Sequence, residues 1–486
     1  MNLGSGMKLS QILIEQGDLL FQDGFKQIRE DLKEQSALAD SGGAPLLNTL
    51  TALATIAAFG NPQAKIETYT FVRQLAEDRG IYPASIEELY RSFGRAEAGN
   101  ITVPAMNMRA IAFESARGVF RALVENDVGA AIFELSRGEI GFTGQRPMEY
   151  TTVILCAAIA EGFSGPLFLQ GDHFQVSASR YKENPKQEME AVKSLIHEAI
   201  EVGFYNIDID TSTLVDLSHA AIADQQELNV SLTAELANFV RAIEPNGITV
   251  SLGGEIGEVG EENSTVEEVE VYLSGVAGLM KDDAPTISKL SIQSGTRHGG
   301  NVLFDGSFGD MDVDFDLIRD LTGACRETHG VGGCVQHGAS MLSLEKISKL
   351  PTAGCIEVHL AAAFLNVAYD YLPGDLVCRC DQWLKDTRSN EWKADWSQAQ
   401  FLHHARRYPI GPFKKYWWQA VECHEEILNG VYVKAKAYCA ALNVFNTRDL
   451  IDDVIKHPVP VWVAPALSMT AGQGGRDEAL IHDLAD

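Results

Sequence analysis

ITVPAMNM at 101–108, GAAIFELS at 129–136, GPLFLQGD at 165–172, FYNIDID at 204–210, ITVSLGGEIG at 248–257, ISKLSIQSG at 287–295, GGCVQHG at 332–338 and GCIEVHL at 354–360 share one character. Each is short and β-rich, with Gly, Pro or Asp near its ends, which is how strands punctuate a sequence. Amphipathic stretches lie between most of them, among them AFESARGVFRALVEN, KQEMEAVKSLIHEAIEVG and VDFDLIRDLTGACRETHG, with apolar residues three and four apart. Strand candidates alternating with helix candidates predict a parallel α/β architecture, and eight such units predict a (β/α)8 TIM barrel over 98–372. A doubly wound open sheet is the alternative, but no G-x-G-x-x-G follows the first run, which weakens its dinucleotide-binding form.

Outside the barrel the rhythm changes. Residues 1–97 carry helical patterns (LSQILIEQGDLLFQDGFKQIREDLKEQ, LLNTLTALATIAAF, ETYTFVRQLAEDRG, SIEELYRSF) and no chemical motif, so they form a helical N-terminal extension. Residues 373–486 form a helical C-terminal extension dominated by PFKKYWWQAVECHEEILNGVYVKAKAYCAALNVF. Both are expected to cover the barrel's outside or to build subunit contacts. Tyr416-Trp417-Trp418 reads as core packing, with a lid over an active site as the alternative.

The composition narrows the partners. Of 486 residues, 45% are hydrophobic and 22% charged, as in a globular protein. Lys and Arg number 39 against 67 Asp and Glu, a net charge of −28 that argues against nucleic acid and against an anionic membrane surface. No apolar run is long enough to span a bilayer, and no apolar segment of signal-peptide type follows the first charge. The eight cysteines are scattered with no C-x-x-C pair, which reads as reduced thiols in a cytoplasmic protein.

In a β/α barrel the chemistry gathers at the carboxyl ends of the strands. The third run ends in Asp172-His173, the fourth in Asp210, the fifth in Glu255 and the acidic segment to Asn263, the sixth runs on to His298, and the seventh ends in His337-Gly338-Ala339-Ser340. His173, His298 and His337 thus end three different strands and should converge on one mouth. Three imidazoles with an open position are the ligand set of a catalytic divalent metal, zinc or a similar first-row ion. His197, His219, His329, His424, His457 and His482, and the adjacent His403-His404 on a helical pattern, read as structural.

The motifs PAMNM, FELSRGE, LFLQGDHF, GFYNIDIDTS, GGEIGEVGEEN, SIQSGTRHGG, CVQHGAS and CIEVHLAAA, in this order, resemble the class II, metal-dependent fructose-bisphosphate aldolase family over about 100–372. The resemblance implies a homo-oligomeric barrel enzyme of carbohydrate metabolism, of the glycolytic type, that cleaves a ketose phosphate by a reversible retro-aldol reaction through a metal-bound enediolate. It implies Asp172 as the acid/base at the breaking bond, His173, His298 and His337 as metal ligands, and Glu255 as a glutamate near the metal. Glu262 corresponds to the loop glutamate that moves a proton on the carbanion carbon, with Glu261 as a substitute because the loop is one residue shorter. Asn107, Ser136, Asp210, Gly338 and Ser340 correspond to residues around the substrate and the metal.

The phosphate end departs from the pattern. The family's Gly-Gly-Ser-Gly loop is here Gly338-Ala339-Ser340-Met341, and its Asn-x-Asp/Ala-Thr segment is His359-Leu360-Ala361-Ala362. Arg109, Arg137, Arg146, Arg180 and Arg297 are the candidates for replacing the lost phosphate donors. Two other readings follow from the departure: an aldolase or epimerase for a ketose lacking that phosphate, and a non-catalytic barrel subunit like that of tagatose-bisphosphate aldolase.

Overall fold

The computed structural model describes residues 44–97, 99–256, 262–281, 284–296 and 300–456. All eight runs are strands: β1 (Val103–Asn107), β2 (Ile132–Ser136), β3 (Gly165–Gln175), β4 (Asn206–Asp210), β5 (Ser251–Glu255), β6 (Lys289–Ile292), β7 (Cys334–Gln336) and β8 (Glu357–Leu360). Each pairs in parallel with the next, and β8 closes the ring on β1, with Glu357 opposite Val103 and Leu360 opposite Met106. The architecture is a (β/α)8 barrel with helical extensions at both termini. Strands β1 and β2 are buried along their whole length, because helices cover the outer face and side chains fill the inner one.

The N-terminal extension is stitched to the barrel. Ile81–Pro83 adds a short parallel strand beside β3, and helices Ala44–Phe59 and Pro62–Glu77 pack on the barrel helix Pro147–Ala160. In the C-terminal extension the long helical pattern breaks at Ala420, whose ψ of 54° leaves the helical region. Trp417 packs on Tyr369 and Trp418 on Phe59, so two adjacent rings are buried against different neighbours before the chain turns into helix His424–Ala441. Both tryptophans are core; Tyr416 is exposed. Helix His424–Ala441 lies against Ala112–Glu125 so closely that a Cβ on Gly118 would meet the Leu428 carbonyl oxygen at 2.5 Å. No described helix is long and apolar enough to cross a membrane.

Candidate active site

Successive residues on a strand point to opposite faces, so an Asp-His pair cannot ordinarily face one mouth with both side chains. Here β3 bulges. Gly171 pairs with Ile207 but Phe174 with Ile209, so Asp172 and His173 together oppose Asp208. His173 takes φ of +37°, a left-handed conformation that costs a residue with a side chain about 1–2 kcal/mol. The bulge re-aims the pair and brings both to the same centre.

His173 Nε2 faces His337 Nδ1 at 3.0 Å. The opposite nitrogen of His173, Nδ1, lies 3.1 Å from Asp210 Oδ2 and 3.0 Å from Glu255 Oε2, and His337 Nε2 lies 3.0 Å from Ser291 Oγ. Two carboxylates at Nδ1 fix the proton there, which turns the Nε2 lone pair of His173 toward the other ring. Two ring nitrogens in that relation repel unless a proton or a cation lies between them. Tetrahedral zinc, with Zn–N near 2.0–2.1 Å, holds ligand nitrogens roughly 3.3 Å apart, so the spacing fits a shared divalent ion. The carboxylate of Asp172 joins the same group, 3.7 Å from His173 Nε2.

Asp210 and Glu255 therefore sit behind His173, where a carboxylate orients a ligand ring and raises its basicity. Asp210 is itself clamped by Gln175 and by Ser212, whose N–H and hydroxyl both donate to Oδ1. Burial opposes its ionisation, but the contacts from His173 and these donors hold its carboxyl below the usual range.

Below the mouth the barrel interior is polar. Lys289 is fully buried, with Nζ 2.8 Å from Asp208 Oδ1, 2.5 Å from Glu357 Oε1 and 2.8 Å from Gln170 Oε1. Burial alone would lower the Lys289 pKa; Asp208 and Glu357 outweigh it and raise it. Glu357, for which burial alone would favour the neutral form, is held well below the ordinary carboxyl value by Lys289 and His359. Tyr90, from helix Glu87–Gly94 of the N-terminal extension, donates its hydroxyl to the second oxygen of Glu357.

His359 links this interior to the mouth. Its Nδ1 lies 2.9 Å from Glu134 Oε2 and 3.1 Å from Asp172 Oδ1, and its Nε2 lies 2.8 Å from Glu357 Oε1. The approaches are too oblique for aligned hydrogen bonds and act as charge pairs. Burial would lower the His359 pKa, but Glu134 and Asp172 carry it well above the ordinary imidazole value. Burial pushes Glu134 up to about 8 against the pull of His359.

These groups open into one cavity of about 460 Å³, lined by Asp172, His337, Gly338, Ser340 and His359 from the barrel and by Lys393, His403, Arg406 and Arg407 from the C-terminal extension.

A family profile described as Fructose-bisphosphate aldolase class-II matches residues 87–405. The chain belongs to the class II fructose-bisphosphate aldolase family. Comparison with curated proteins gives no match. Among solved structures, the chain is similar to the YdjI aldolase from Escherichia coli K12, at 14% identity over 74% of this chain and 98% of that one, TM-score 0.44. It is similar to fructose-bisphosphate aldolase from Campylobacter jejuni at 15% identity, over 76% and 96% of the two chains, TM-score 0.43. It is also similar to a probable tagatose 6 phosphate kinase from Sinorhizobium meliloti 1021 at 14%, over 79% and 98%, TM-score 0.47.

Not every residue expected from the aldolase family meets at this centre. His298 and Glu261 lie outside the described residues. Glu262 is exposed and does not line the cavity. Ser136 caps helix Arg137–Thr143: its hydroxyl accepts from Glu139 N–H, while the Glu139 carboxylate accepts from Ser136 N–H. The same Glu139 accepts from Asn107 and, at 2.5 Å, from Arg109 Nη1. Ser340 Oγ accepts from Ala361 N–H at 2.8 Å. Of the candidate phosphate arginines, Arg137 pairs with Glu188 and Arg146 with Glu198, Arg109 reaches the cavity, and Arg297 lies outside the described residues. Sequence reasoning passed over His359 as merely a lost asparagine, and over the cavity-lining residues of the extension.

Proposed function

We propose that the protein is a metal-dependent aldolase that reversibly cleaves a ketose phosphate. The observation that carries the reading is the bulge that puts Asp172 and His173 side by side at the mouth, with His173 facing His337 at 3.0 Å. Family membership supports the reaction class and the sugar phosphate. A divalent ion, zinc in this reading, would be held by His173 and His337, with His298 as the third ligand by resemblance; it supplies a Lewis acid for the carbonyl oxygen.

The remaining work falls to this chain's own groups. Asp172 takes the C4 hydroxyl proton as the carbon–carbon bond breaks, and returns it in the reverse direction. His359, whose Nδ1 lies 3.1 Å from Asp172 Oδ1, sets a positive charge beside that carboxylate. Asp210 and Glu255 hold the His173 ring in one orientation. Asn107 and Ser136, both tied to Glu139, shape the wall near Arg109, and Gly338 and Ser340 supply the turn beside the substrate. The proton transfer at the carbon released by cleavage belongs to the acidic segment, Glu262 or Glu261. We further read the enzyme as a cytoplasmic homo-oligomer.

The test is a panel of ketose 1,6-bisphosphates, monophosphates and free ketoses offered to the zinc-loaded protein, with triose release as the readout. Cleavage of a phosphorylated ketose, abolished in Asp172→Asn, is expected. Cleavage confined to the free ketoses, or none with any member, would overturn it.

A further inference from the structure

A phosphate dianion needs several N–H donors or cations. The loop after His337 and the start of the helix after β8 offer few. The Ser340 Oγ accepts from the Ala361 N–H and keeps a single O–H to give, and Ala361, Ala362 and Leu365 present no side-chain donor to the cavity.

The cations stand elsewhere on the same cavity. Lys393, Arg406 and Arg407 all line it, all from the C-terminal extension. Among the described residues none of the three has a carboxylate within ion-pair distance, in a chain whose net charge is −28. Arg407 is 8% exposed, and its Nε has no hydrogen-bond partner among the described residues. Arg109, 5% exposed, also keeps an unpartnered Nε there, although its Nη1 is held by Glu139.

Arg406 donates to Asn366 Oδ1, and Asn366 Nδ2 lies 3.5 Å from Met341 Sδ, which sets the Arg406 guanidinium beside the loop that follows His337. Desolvation and the charge of Arg109 bring Arg406 down to about 10. Desolvation, with Arg407 and Lys393 nearby, brings His404 down to about 4. A gathering of like charges with unsatisfied buried donors is unfavourable by itself; an oxyanion that guanidinium forks can grip relieves it.

We propose that Arg406, Arg407 and Lys393 of the C-terminal extension form the subsite for the anionic, phosphate-type end of the substrate, with Arg109 on its barrel side. The identity of what the anion is attached to rests on the aldolase reading above. The extension thereby supplies from its own chain cationic donors in place of the neutral ones missing from the loop after His337 and the start of the helix after β8.

The test is calorimetric titration of inorganic phosphate into the full-length protein, with acetate as the monoanion control, for wild type, Arg407→Gln and Lys393→Ala. Lys393 is exposed, so its variant keeps the test valid if Arg407→Gln does not fold. Saturable phosphate binding, weaker by at least tenfold in each folded variant and not matched by acetate, is the expected result. Phosphate binding of equal strength in wild type and variants, or none to wild type, would overturn the subsite. Ketose cleavage with the same KM with and without the phosphate, unchanged in the variants, would remove the subsite and leave the aldolase reading intact. Variant-sensitive phosphate binding without cleavage of any ketose would do the reverse.

Discussion

Replacing Lys289 by Met should cost about 3–5 kcal/mol of folding stability, the range for removing one partner from a buried ion pair. Methionine fills much of the same space, so the loss is electrostatic rather than a cavity. Lys289 is fully buried and bonds Asp208, Glu357 and Gln170 at once; without it, two buried carboxylates remain with His359 as their nearest cation, 2.8 Å from Glu357 and 3.7 Å from Asp208. The folded pKa of Asp208, already pushed up to about 6 by burial against the pull of Lys289, then rises further, and Glu357 loses the main charge that holds its own down, so both carboxyls shift upward. A group shifted that way is penalised above the unfolded pKa and not below it, so the deficit should be full near pH 7.5 and shrink as pH falls toward about 4. Urea unfolding of wild type and variant at pH 7.5 and pH 5 measures both features, and adding Glu357→Gln to the variant should restore part of the loss. A deficit below about 1 kcal/mol at pH 7.5, or one that ignores pH, would refute the reasoning.

Asp172→Asn should reduce cleavage of a phosphorylated ketose by roughly 10²–10⁴-fold, read in a triose-release assay, while zinc content stays as in wild type. His173→Gly should be more stable than His173→Ala by about 1 kcal/mol in thermal unfolding, because glycine accepts the φ of +37° without strain. Burial raises the Glu134 carboxyl from 4.5 to about 8, so its contribution is present below pH 4.5 and lost as pH rises through 8; Glu134→Gln should flatten that part of the stability–pH curve in urea titrations.

The barrel was legible because each strand is buried on both faces and therefore reads as a short β-rich run between helical stretches. The strand-end rule was enough to single out Asp172, His173 and His337. The bulge was not legible: adjacent polar residues such as Asp172-His173 can equally face opposite sides of a regular strand, and only the register to β4 reveals the extra residue. The polar interior escaped notice because Gln170, Asp208, Lys289 and Glu357 each look ordinary within one strand; their meeting is a property of the closed ring. His359 could have been found as a titratable residue near the end of β8, had the strand-end rule been applied there as it was to β7. The cavity's second wall was out of reach, since Lys393 to Arg407 lie beyond the last barrel helix, Ala362–Tyr371, and nothing in their helical pattern says that the chain folds back over the mouth.

The central claim is that the His173–His337 pair grips a divalent ion. Elemental analysis of the purified protein, with His173→Ala and His337→Ala alongside, measures it most directly. About one zinc or comparable ion per wild-type chain, lost from both folded variants, is the predicted result. No divalent ion in wild type after exposure to excess zinc, or full occupancy in both variants, would contradict it.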